Sequence, residues 1–433
     1  MHQMVSKSEI LIVGGGVAGL ALATRLGKSL GRQGKARITL VDKSFSHVWK
    51  PMLHCFAAGT VLNENDRISF ISQASSHHFE FWPGEVVSID RDKREVVLSP
   101  LHASDGTKVL ESRTLIYDAI VLAVGSCAND FGTPGVKENC LFIDNLIEAN
   151  SFNEKFRMEI LKSFANSSQL DIAIVGGGAT GTQLAAELHK SLEIVDPVSL
   201  HAFGKKPPKL RVTLLQSGPR ILPAFPESVS VAAQQELERL GVNVRTSSRV
   251  ASADATGFTL KDGTHVDATL RVWAAGVKAP EVTKAYGGLS LNKSGQILVR
   301  PNLSSVDDDR IFAMGDCSFI TDEPLPATAQ VARQQAHHLA QHLPAWLERG
   351  TVVPSCIFHN KGAIVALGNY NGWAALPGGT VLGGGIMNGL SARLGHIMLY
   401  RKHQMELFGY YRGLASILAD WIEGIIRPPV RLD

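Results

Sequence analysis

The chain has 433 residues, enough for two or three domains with a full hydrophobic core. Apolar residues make up 45% of it and the formal net charge is only +3, so the composition is that of a globular protein and does not indicate a nucleic-acid partner. The five cysteines are dispersed and none has C-x-x-C spacing, which indicates reduced thiols in the cytoplasm.

No segment is predicted to cross a membrane. The N-terminal residues Met1–Glu9 are polar and lead into a strand, which is not the pattern of a signal peptide. The longest stretch without a charged residue is Gly362–Ala392, but nine glycines and Pro377 interrupt it. A spanning helix needs about 20 mostly apolar residues, so strands and loops are predicted there instead.

A strand, a glycine-rich turn, a helix and a second strand open the chain, and the same succession returns about 160 residues later. The predicted strands and helices of the two units are Ile10–Val13, Leu20–Leu26 and Arg37–Asp42, then Asp171–Val175, Thr182–Leu192 and Arg211–Gln216. This order is typical of dinucleotide-binding folds. We therefore predict an α/β protein with two Rossmann-like units.

Apolar runs predict further strands between and after these units, at Glu85–Leu98, Tyr117–Val124, Arg271–Ala275 and Arg310–Met314. A helix is predicted over Pro324–Leu343. On this pattern residues 1–160 and 290–350 form one nucleotide domain, residues 161–289 form the other, and residues 351–433 form a C-terminal domain.

The first turn has the spacing Gly14-x-Gly16-x-x-Gly19. In this motif the first glycine permits the tight turn, the second lets a pyrophosphate approach the helix N-terminus, and the third lets helix and strand pack closely. Asp42 ends the next strand, where a carboxylate suits hydrogen bonds from a ribose diol. The complete succession predicts a dinucleotide site, which we assign to FAD.

The second turn repeats the spacing at Gly176, Gly178 and Gly181, but its second strand ends in Gln216 in place of an acid. A structural duplicate without a ligand is one interpretation. Retention of all three glycines favours the other, an NAD(P)H site whose ribose contact comes from an amide. Two nucleotide sites in one chain indicate electron transfer from NAD(P)H to FAD.

Three strand ends support this assignment. Two apolar strands end at glycine, Tyr117–Gly125 and Leu270–Gly276, and each would return the chain beside a bound dinucleotide. Ala123, in the first of them, is a predicted cofactor contact. The strand Ile311–Asp316 ends in an acid that suits the ribityl chain of FAD, and the following helix would direct its positive end toward the flavin. A Gly-Asp turn is common by itself and gains meaning only beside the two glycine motifs.

Four segments carry a resemblance to a known family: His47–His54, Asn129–Cys140, Trp273–Pro280 and Ala329–Gln334. With the two-unit layout, they make residues 10–432 resemble the bacterial type II NADH dehydrogenases, which are membrane-associated NADH:quinone oxidoreductases of the two-dinucleotide-binding flavoprotein superfamily. The resemblance implies non-covalent FAD, NADH as electron donor, a membrane quinone as acceptor, and no proton pumping.

The resemblance also implies site residues. It assigns further cofactor contacts to Lys50, Val86 and Ala329, and it identifies the segment with Gln330 and Gln334 as the quinone site. These two glutamines lie four residues apart and so share one helix face. Periodicity alone would favour a solvent-facing pair, and the resemblance favours a catalytic one.

Two departures from the family pattern concern the donor side, since the family commonly has an acid where this chain has Gln216 and Gln183. The first departure leaves NADPH open as a second donor. At the second, the amide of Gln183 could still bind the nicotinamide carboxamide, which makes it a candidate catalytic residue. Glu187, one helical turn further on, is expected to cap or pack.

The C-terminal tail predicts one amphipathic helix. Its apolar stripe has 4-3-4-3-4 spacing, is widened by three neighbours and is flanked by basic residues: Leu407, Tyr411, Leu414, Leu418, Trp421 and Ile425, then Tyr410, Ile417 and Ile422, then Arg401, Lys402, Arg412 and Arg427. Pro428 and Pro429 end it. Core packing is one interpretation, and an anchor lying in the plane of the membrane surface is the other.

The leading hypothesis is an NAD(P)H:quinone oxidoreductase, peripheral on the cytoplasmic side of the cell membrane, with a homodimer left open and no metal site. A sulfide:quinone oxidoreductase using Cys127 and Cys356 is an alternative, although the intact second glycine motif argues against it. A flavin-bound redox sensor without turnover is the alternative from another class.

Overall fold

The computed structural model describes residues 7–60, 67–103, 105–203, 209–368, 370–377, 380–383 and 398–426. Its strands, in chain order, are β1 Ser8–Val13, β2 Ala36–Asp42, β3 Ser46–His47, β4 Ile68–Ser69, β5 Glu80–Pro83, β6 Val86–Asp90, β7 Glu95–Leu98, β8 Leu101–His102, β9 Lys108–Leu110, β10 Arg113–Ile116, β11 Ala119–Leu122, β12 Cys127–Ala128, β13 Leu170–Val175, β14 Leu210–Leu215, β15 Asn243–Arg245, β16 Val250–Ala253, β17 Gly257–Leu260, β18 His265–Asp267, β19 Leu270–Trp273, β20 Val277–Lys278, β21 Ile297–Val299, β22 Ile311–Ala313, β23 Ser318–Ile320, β24 Ala363–Leu367, β25 Asn371–Ala375 and β26 Val381–Gly383.

The α-helices, in chain order, are α1 Val17–Leu26, α2 Leu53–Ala58, α3 Phe70–His77, α4 Val136–Asn139, α5 Leu146–Asn166, α6 Ala179–Phe203, α7 Glu227–Arg239, α8 Ala329–Arg349, α9 398–408 and α10 Tyr410–Ile426. A π-helical turn, Gly27–Gly31, extends α1.

Two parallel sheets form the frame of the molecule. The first has the strand order β22-β11-β1-β2-β5, and the second has the order β15-β14-β13-β19. Their central strands are buried on both faces, as expected where helices cover a parallel sheet. The fold class is therefore α/β with two Rossmann-like units, as predicted.

A short antiparallel ladder joins the two units. Strand β12, which follows the first sheet, pairs with β20, which follows the second, so that Cys127 lies opposite Lys278 and Ala128 opposite Val277. Strand β11 belongs to the first parallel sheet and β19 to the second, and the chain runs from the end of each strand into this ladder. The carboxyl ends of both sheets therefore meet there. Open α/β sheets bind their ligands at that end.

The hydrophobic core follows the same division. One cluster surrounds the first sheet and includes residues of α1 and α8, and two others cover the faces of the second sheet. Leu407 of α9 is fully buried in the first cluster, at 0% exposure. The start of the tail therefore belongs to the core of the first unit.

The predicted single tail helix is wrong at Gly409. That glycine has φ +84, a left-handed conformation that L side chains rarely adopt, and it separates α9 from α10. Leu407 consequently faces the core and is not part of the exposed stripe. The side chains of Trp421 and Ile425, and all of Arg427, Pro428 and Pro429, lie outside the described residues.

The predicted helix Pro324–Leu343 is displaced toward the C-terminus. Thr328 caps α8 because its hydroxyl accepts the Val331 amide at 3.3 Å, so Pro324 and Pro326 remain in the preceding loop. The helix continues through Pro344 and ends at Gly350, which has φ +66. The predicted strand Glu85–Leu98 is two strands, β6 and β7, joined by a turn.

Candidate functional site

The first glycine motif has the shape that a pyrophosphate requires. Gly14 has φ +101, and a Cβ on it would overlap the carbonyl of Ala123. A Cβ on Gly19 would overlap the carbonyl of Gly14, so α1 and β1 are in close contact. A Cβ on Gly16 would meet no heavy atom within 4 Å. The space in front of Gly16, at the N-terminus of α1, is therefore open to a phosphate group.

The carboxylate of Asp42 organises this turn. One oxygen, Oδ2, accepts the amide of Gly15 at 2.6 Å, and Oδ1 accepts the amide of Ser44 at 2.7 Å. Burial raises the pKa of Asp42, and the two amide hydrogen bonds counter part of that rise. Each oxygen keeps one lone pair with which a ribose hydroxyl could bond.

The second glycine motif repeats these relationships. Gly176 has φ +114 and leaves no room for a Cβ beside Ala274, while Gly181 touches the carbonyl of Gly176. A Cβ on Gly178 would meet nothing within 4 Å. Gln216 stands where Asp42 stands in the first unit, since its Oε1 accepts the amide of Gly177 at 2.9 Å. The second unit thus has the same open approach to a helix N-terminus.

The two nucleotide units face each other across the β12–β20 ladder. Gly125 and Gly276, at the ends of the two strand segments, have φ +70 and +63. The amide of Asn129 donates to the carbonyl of Gly276 at 3.2 Å, and the indole of Trp273 donates to the carbonyl of Asn129 at 2.8 Å. The exposed ring of Phe131 lies against Gly276. These contacts fix the two glycine turns close to each other.

A polar network lies beside Gly125. Lys50 donates to the carbonyl of Ser126 at 2.9 Å and is 3.8 Å from the carboxylate of Asp144. Ser126 donates its hydroxyl to Oδ2 of Asp316 at 2.7 Å. The structure thus brings Lys50, Gly125 and Asp316 together. Sequence reasoning did not single out Ser126 or Asp144, although the position of Ser126 directly after a glycine-ended strand was an available signal.

Helix α8 packs against the turn that contains Asp316. Gln335 accepts the amide of Gly315 at 2.6 Å, while Ala329 is the first residue of the helix. Of the remaining predicted cofactor residues, Val86 and Ala123 are buried in the first core cluster. Neither side chain carries a polar group, so a cofactor could form hydrogen bonds only with the backbone at these two positions.

Gln330 and Gln334 are half-buried, and both side-chain amides are hydrogen-bonded to the backbone of another segment. Gln330 accepts the amide of Lys361 at 2.7 Å and donates to the carbonyl of Gly362 at 2.9 Å. Gln334 accepts the amide of His359 at 3.0 Å and donates to the carbonyl of the same residue at 2.9 Å. Both amides therefore hold the backbone of residues 359–362, a partnership between distant segments that the sequence did not predict.

Gln183 is buried on α6, and its Nε2 donates to the carbonyl of Ala366 at 3.2 Å. Glu187, one turn further on, accepts the hydroxyl of Thr60 and lies 3.5 Å from the ammonium of Lys190. His54, Cys55 and Glu187 have metal-ligand atoms within 4.8 Å of one another. Lys190 already supplies a counter-charge to Glu187, so packing and ion pairing account for that carboxylate.

The two cysteines of the sulfide hypothesis lie in unsuitable surroundings. All five cysteines are free thiols. Burial is the main cause that raises the pKa of Cys127, and burial raises the pKa of Cys356 to about 11. Cys356 lies in the core cluster of the first sheet. Thiols with raised pKa values stay protonated near neutral pH and are poor nucleophiles.

Helix α10 exposes an apolar face. The exposed side chains and their exposed fractions are Tyr410 68%, Tyr411 89%, Leu414 46%, Leu418 57% and Ile422 45%. On its other side, Gly413 is buried against Met405 of α9. Within the described ranges, no helix combines the length and apolarity needed to cross a bilayer.

Comparisons with known proteins agree with this geometry. Residues 8–336 match the family of pyridine nucleotide-disulphide oxidoreductases. The type II NADH:quinone oxidoreductase of Haemophilus influenzae is 36% identical over an alignment of 446 positions, which covers 98% of this chain and 99% of the relative. The protein of the same name from Staphylococcus aureus strain NCTC 8325 is 29% identical over 391 residues, which cover 87% of this chain and 92% of the relative.

Solved structures share the fold. NDH2 from Plasmodium falciparum in complex with NADH superposes with a TM-score of 0.79 at 18% identity, covering 98% of this chain and all of the other. The sulfide:quinone oxidoreductase of Aquifex aeolicus superposes with a TM-score of 0.69 at 18% identity, covering 92% of each chain. The fold by itself therefore does not distinguish the two activities.

Proposed function

Because the chain belongs to the pyridine nucleotide-disulphide oxidoreductases, and among them to the type II NADH:quinone oxidoreductases, we propose that it oxidises NADH with the help of bound FAD and transfers two electrons to a quinone. One observation carries the proposal. The β12–β20 ladder joins the carboxyl ends of two parallel sheets, each with an open glycine turn at the N-terminus of a helix. Donor and cofactor can therefore meet within one chain.

The residues of the first unit fit FAD. The open space at Gly16 suits its pyrophosphate, Asp42 suits its ribose, and Asp316 suits its ribityl hydroxyls, with Lys50 and Ser126 beside them. When bound, FAD supplies the redox chemistry that no side chain here provides, which is two-electron acceptance from NADH and release to quinone. The protein contributes binding, orientation and exclusion of water.

The second unit fits a nicotinamide dinucleotide through Gly178 and Gln216. Gln183 lies on the helix that begins at this turn, and its amide is fixed by the carbonyl of Ala366. We assign it to orienting the nicotinamide end of the donor. With an amide in place of a carboxylate at both 183 and 216, NADPH is a second donor in this proposal.

We assign the quinone to the region beside Gln330 and Gln334. Their amides are bound to residues 359–362, so we treat them as positioning residues for that segment and not as free quinone ligands. Gln335 on the same helix holds Gly315, next to Asp316. Helix α8 thus connects the assigned flavin contact with the assigned acceptor region.

We further propose that α10 associates with the cytoplasmic face of the cell membrane. Its exposed apolar face carries two tyrosines and three aliphatic side chains, while Arg412 is exposed on the same helix. A lipid-soluble acceptor makes such an association useful. The homodimer remains a prediction.

The experiment is steady-state turnover of NADH and of NADPH, each with a menaquinone and a ubiquinone analogue. The proposal expects one quinone reduced per NADH oxidised. A protein that binds FAD and NADH but turns over with neither quinone would be a redox sensor, and turnover with sulfide alone would favour the sulfide:quinone alternative.

A further inference from the structure

A cavity of about 440 Å³ lies between α1, α8 and the C-terminal helices. Four of its lining residues are cationic: Arg25 from α1, Lys28 from the π-helical turn that extends α1, Arg333 from α8 and Lys402 from α9. One lining residue, Glu406, is anionic. The cavity is separate from the nucleotide turn at the start of α1. Lys28 is twelve residues beyond Gly16, which corresponds to about 18 Å along the helical path.

The single carboxylate is already neutralised. Arg25 Nη2 lies 2.5 Å from Oε1 of Glu406, and Arg333 Nη2 lies 2.5 Å from Oε2 of the same residue. Among the described residues, neither Lys28 nor Lys402 has an ion pair. The pKa of Lys28 is lowered by burial and then by the positive charge of Arg25. Four cations against one anion leave the cavity about three positive charges in excess, which a bound anion would relieve.

The remaining lining is apolar and leads to the exposed face of α10. Met405 contributes apolar surface, and Tyr410, which also lines the cavity, is the first residue of α10. Tyr410 is 68% exposed. A ligand that fits both surfaces carries a negative head and an apolar tail.

We propose that this cavity binds the phosphate group of an anionic phospholipid, whose acyl chains lie along the apolar face of α10. The proposal rests on the membrane association proposed above and adds a lipid preference to it. Lys and Arg together suit a phosphate, because the guanidinium donates two parallel hydrogen bonds and the ammonium acts as a point charge. A free phosphate ion shares this chemistry but would gain nothing from the apolar surface of Met405 or from the apolar face of α10.

The test measures binding of the flavin-loaded full chain to vesicles of phosphatidylcholine alone and of phosphatidylcholine with phosphatidylglycerol. The wild type should bind the anionic vesicles at least tenfold more tightly. The double variant Lys28→Ala/Lys402→Ala should lose most of that preference and keep its binding to neutral vesicles. Lys28→Arg/Lys402→Arg should retain the preference. The control Lys261→Ala/Lys293→Ala removes the same charge from exposed lysines outside the cavity, and it should behave like the wild type.

Each alternative outcome has a distinct meaning. If the double alanine variant keeps the same preference as the control, the cavity does not bind the headgroup. If the wild type binds both vesicles equally, membrane association stands and the lipid preference is overturned. If it binds neither, both proposals fail. Inorganic phosphate at millimolar concentration that raises the melting temperature of the wild type but not of the double variant, without any vesicle preference, would identify a free-phosphate site instead.

Discussion

Asp42 and Gln216 occupy equivalent positions in the two nucleotide units. Asp42 accepts the backbone amide of Gly15 at 2.6 Å, and Gln216 accepts that of Gly177 at 2.9 Å. The shared geometry explains why a carboxamide can replace a carboxylate without disturbing the turn. The difference lies in charge. A carboxylate repels a phosphate on the neighbouring ribose hydroxyl, and an amide does not.

The variant Gln216→Glu should therefore raise the ratio of kcat/KM for NADH over NADPH by about tenfold or more. A hydrogen bond to a charged group contributes about 1.5–3 kcal/mol, and about 1.4 kcal/mol corresponds to tenfold. The change should come mainly from weaker use of NADPH. Arg220 does not determine the outcome, because its guanidinium donates to the carbonyls of Phe225 and Pro223 at 2.8 and 3.0 Å.

Gln33→Glu, which adds the same charge at an exposed position of the first unit, is the control and should leave the ratio unchanged. A wild type that rejects NADPH completely would show that another feature excludes the phosphate.

The acceptor side is tested by Gln330→Leu and Gln334→Leu. Each removes two hydrogen bonds to the backbone of residues 359–362, so each should slow oxidation of the enzyme by quinone by about tenfold while leaving its reduction by NADH nearly unchanged. Rapid-mixing absorbance at the flavin band separates the two half-reactions. Gln341→Leu, at an exposed position of the same helix, should affect neither. Slower reduction by NADH would assign the helix to the donor side.

The membrane prediction is tested by truncating the chain at a position that leaves the hydrophobic core intact. Removing residues from Tyr400 onward would expose the pocket that Leu407 fills and would break the ion pairs of Glu406. Removal of residues 410–433 retains α9 and should give a folded, yellow protein that no longer sediments with membranes. Sedimentation of this folded truncated chain at the wild-type level would contradict the role of α10.

Two buried histidines make stability depend on pH. His47 Nε2 and His403 Nε2 lie 3.0 Å apart, and His47 Nδ1 is 3.0 Å from the carbonyl of Gly15. Burial is the main cause that lowers the pKa of His47 to about 4 and of His403 to about 2. At His403 the charge of His47, and then that of Arg333, adds to the effect. In the unfolded chain both histidines titrate near pH 6.5.

Between about pH 6.5 and pH 4 the unfolded chain therefore binds protons that the native protein does not, so stability should fall as the pH falls. Each histidine contributes up to about 1.4 kcal/mol per pH unit. Melting temperatures from pH 8 to pH 5 should show a shallower decline for His403→Gln than for the wild type. His102→Gln, at an exposed position, should retain the wild-type slope. Equal slopes in all three proteins would mean that His403 has the same pKa in the native protein as in the unfolded chain, which would contradict the prediction.

Sequence patterns predicted the nucleotide turns correctly because their geometry is local. Gly14 and Gly176 need a positive φ, and the strand, helix and end-of-strand residue follow within 40 residues or so. Contacts between distant segments were not predictable in this way. The partners of Gln330 lie about 30 residues away in irregular chain, and the partner of His47 lies 356 residues away. The apolar spacing in the C-terminal tail predicted one helix with Leu407 on its exposed face. That prediction was wrong because the spacing assumes a continuous helix, and Gly409 interrupts it.

The central claim, that one chain holds both nucleotides, is tested with a matched pair of variants. Gly16 has φ −67 and ψ −167, and a Cβ there would meet no heavy atom within 4 Å, so Gly16→Val should fold and yet exclude the pyrophosphate, giving a colourless protein. Gly178→Val should remain yellow, because it alters only the second turn. Normal flavin content in Gly16→Val would contradict the assignment of the first unit.

The most direct measurement mixes the yellow enzyme with NADH in the absence of oxygen and then adds a quinone. NADH should bleach the flavin absorbance of the wild type within one turnover, and the quinone should restore it with one equivalent consumed. Gly178→Val should show little bleaching by NADH, yet its colour should return normally with quinone after chemical reduction. A wild-type flavin that NADH does not bleach, or that quinone does not restore, would contradict the account.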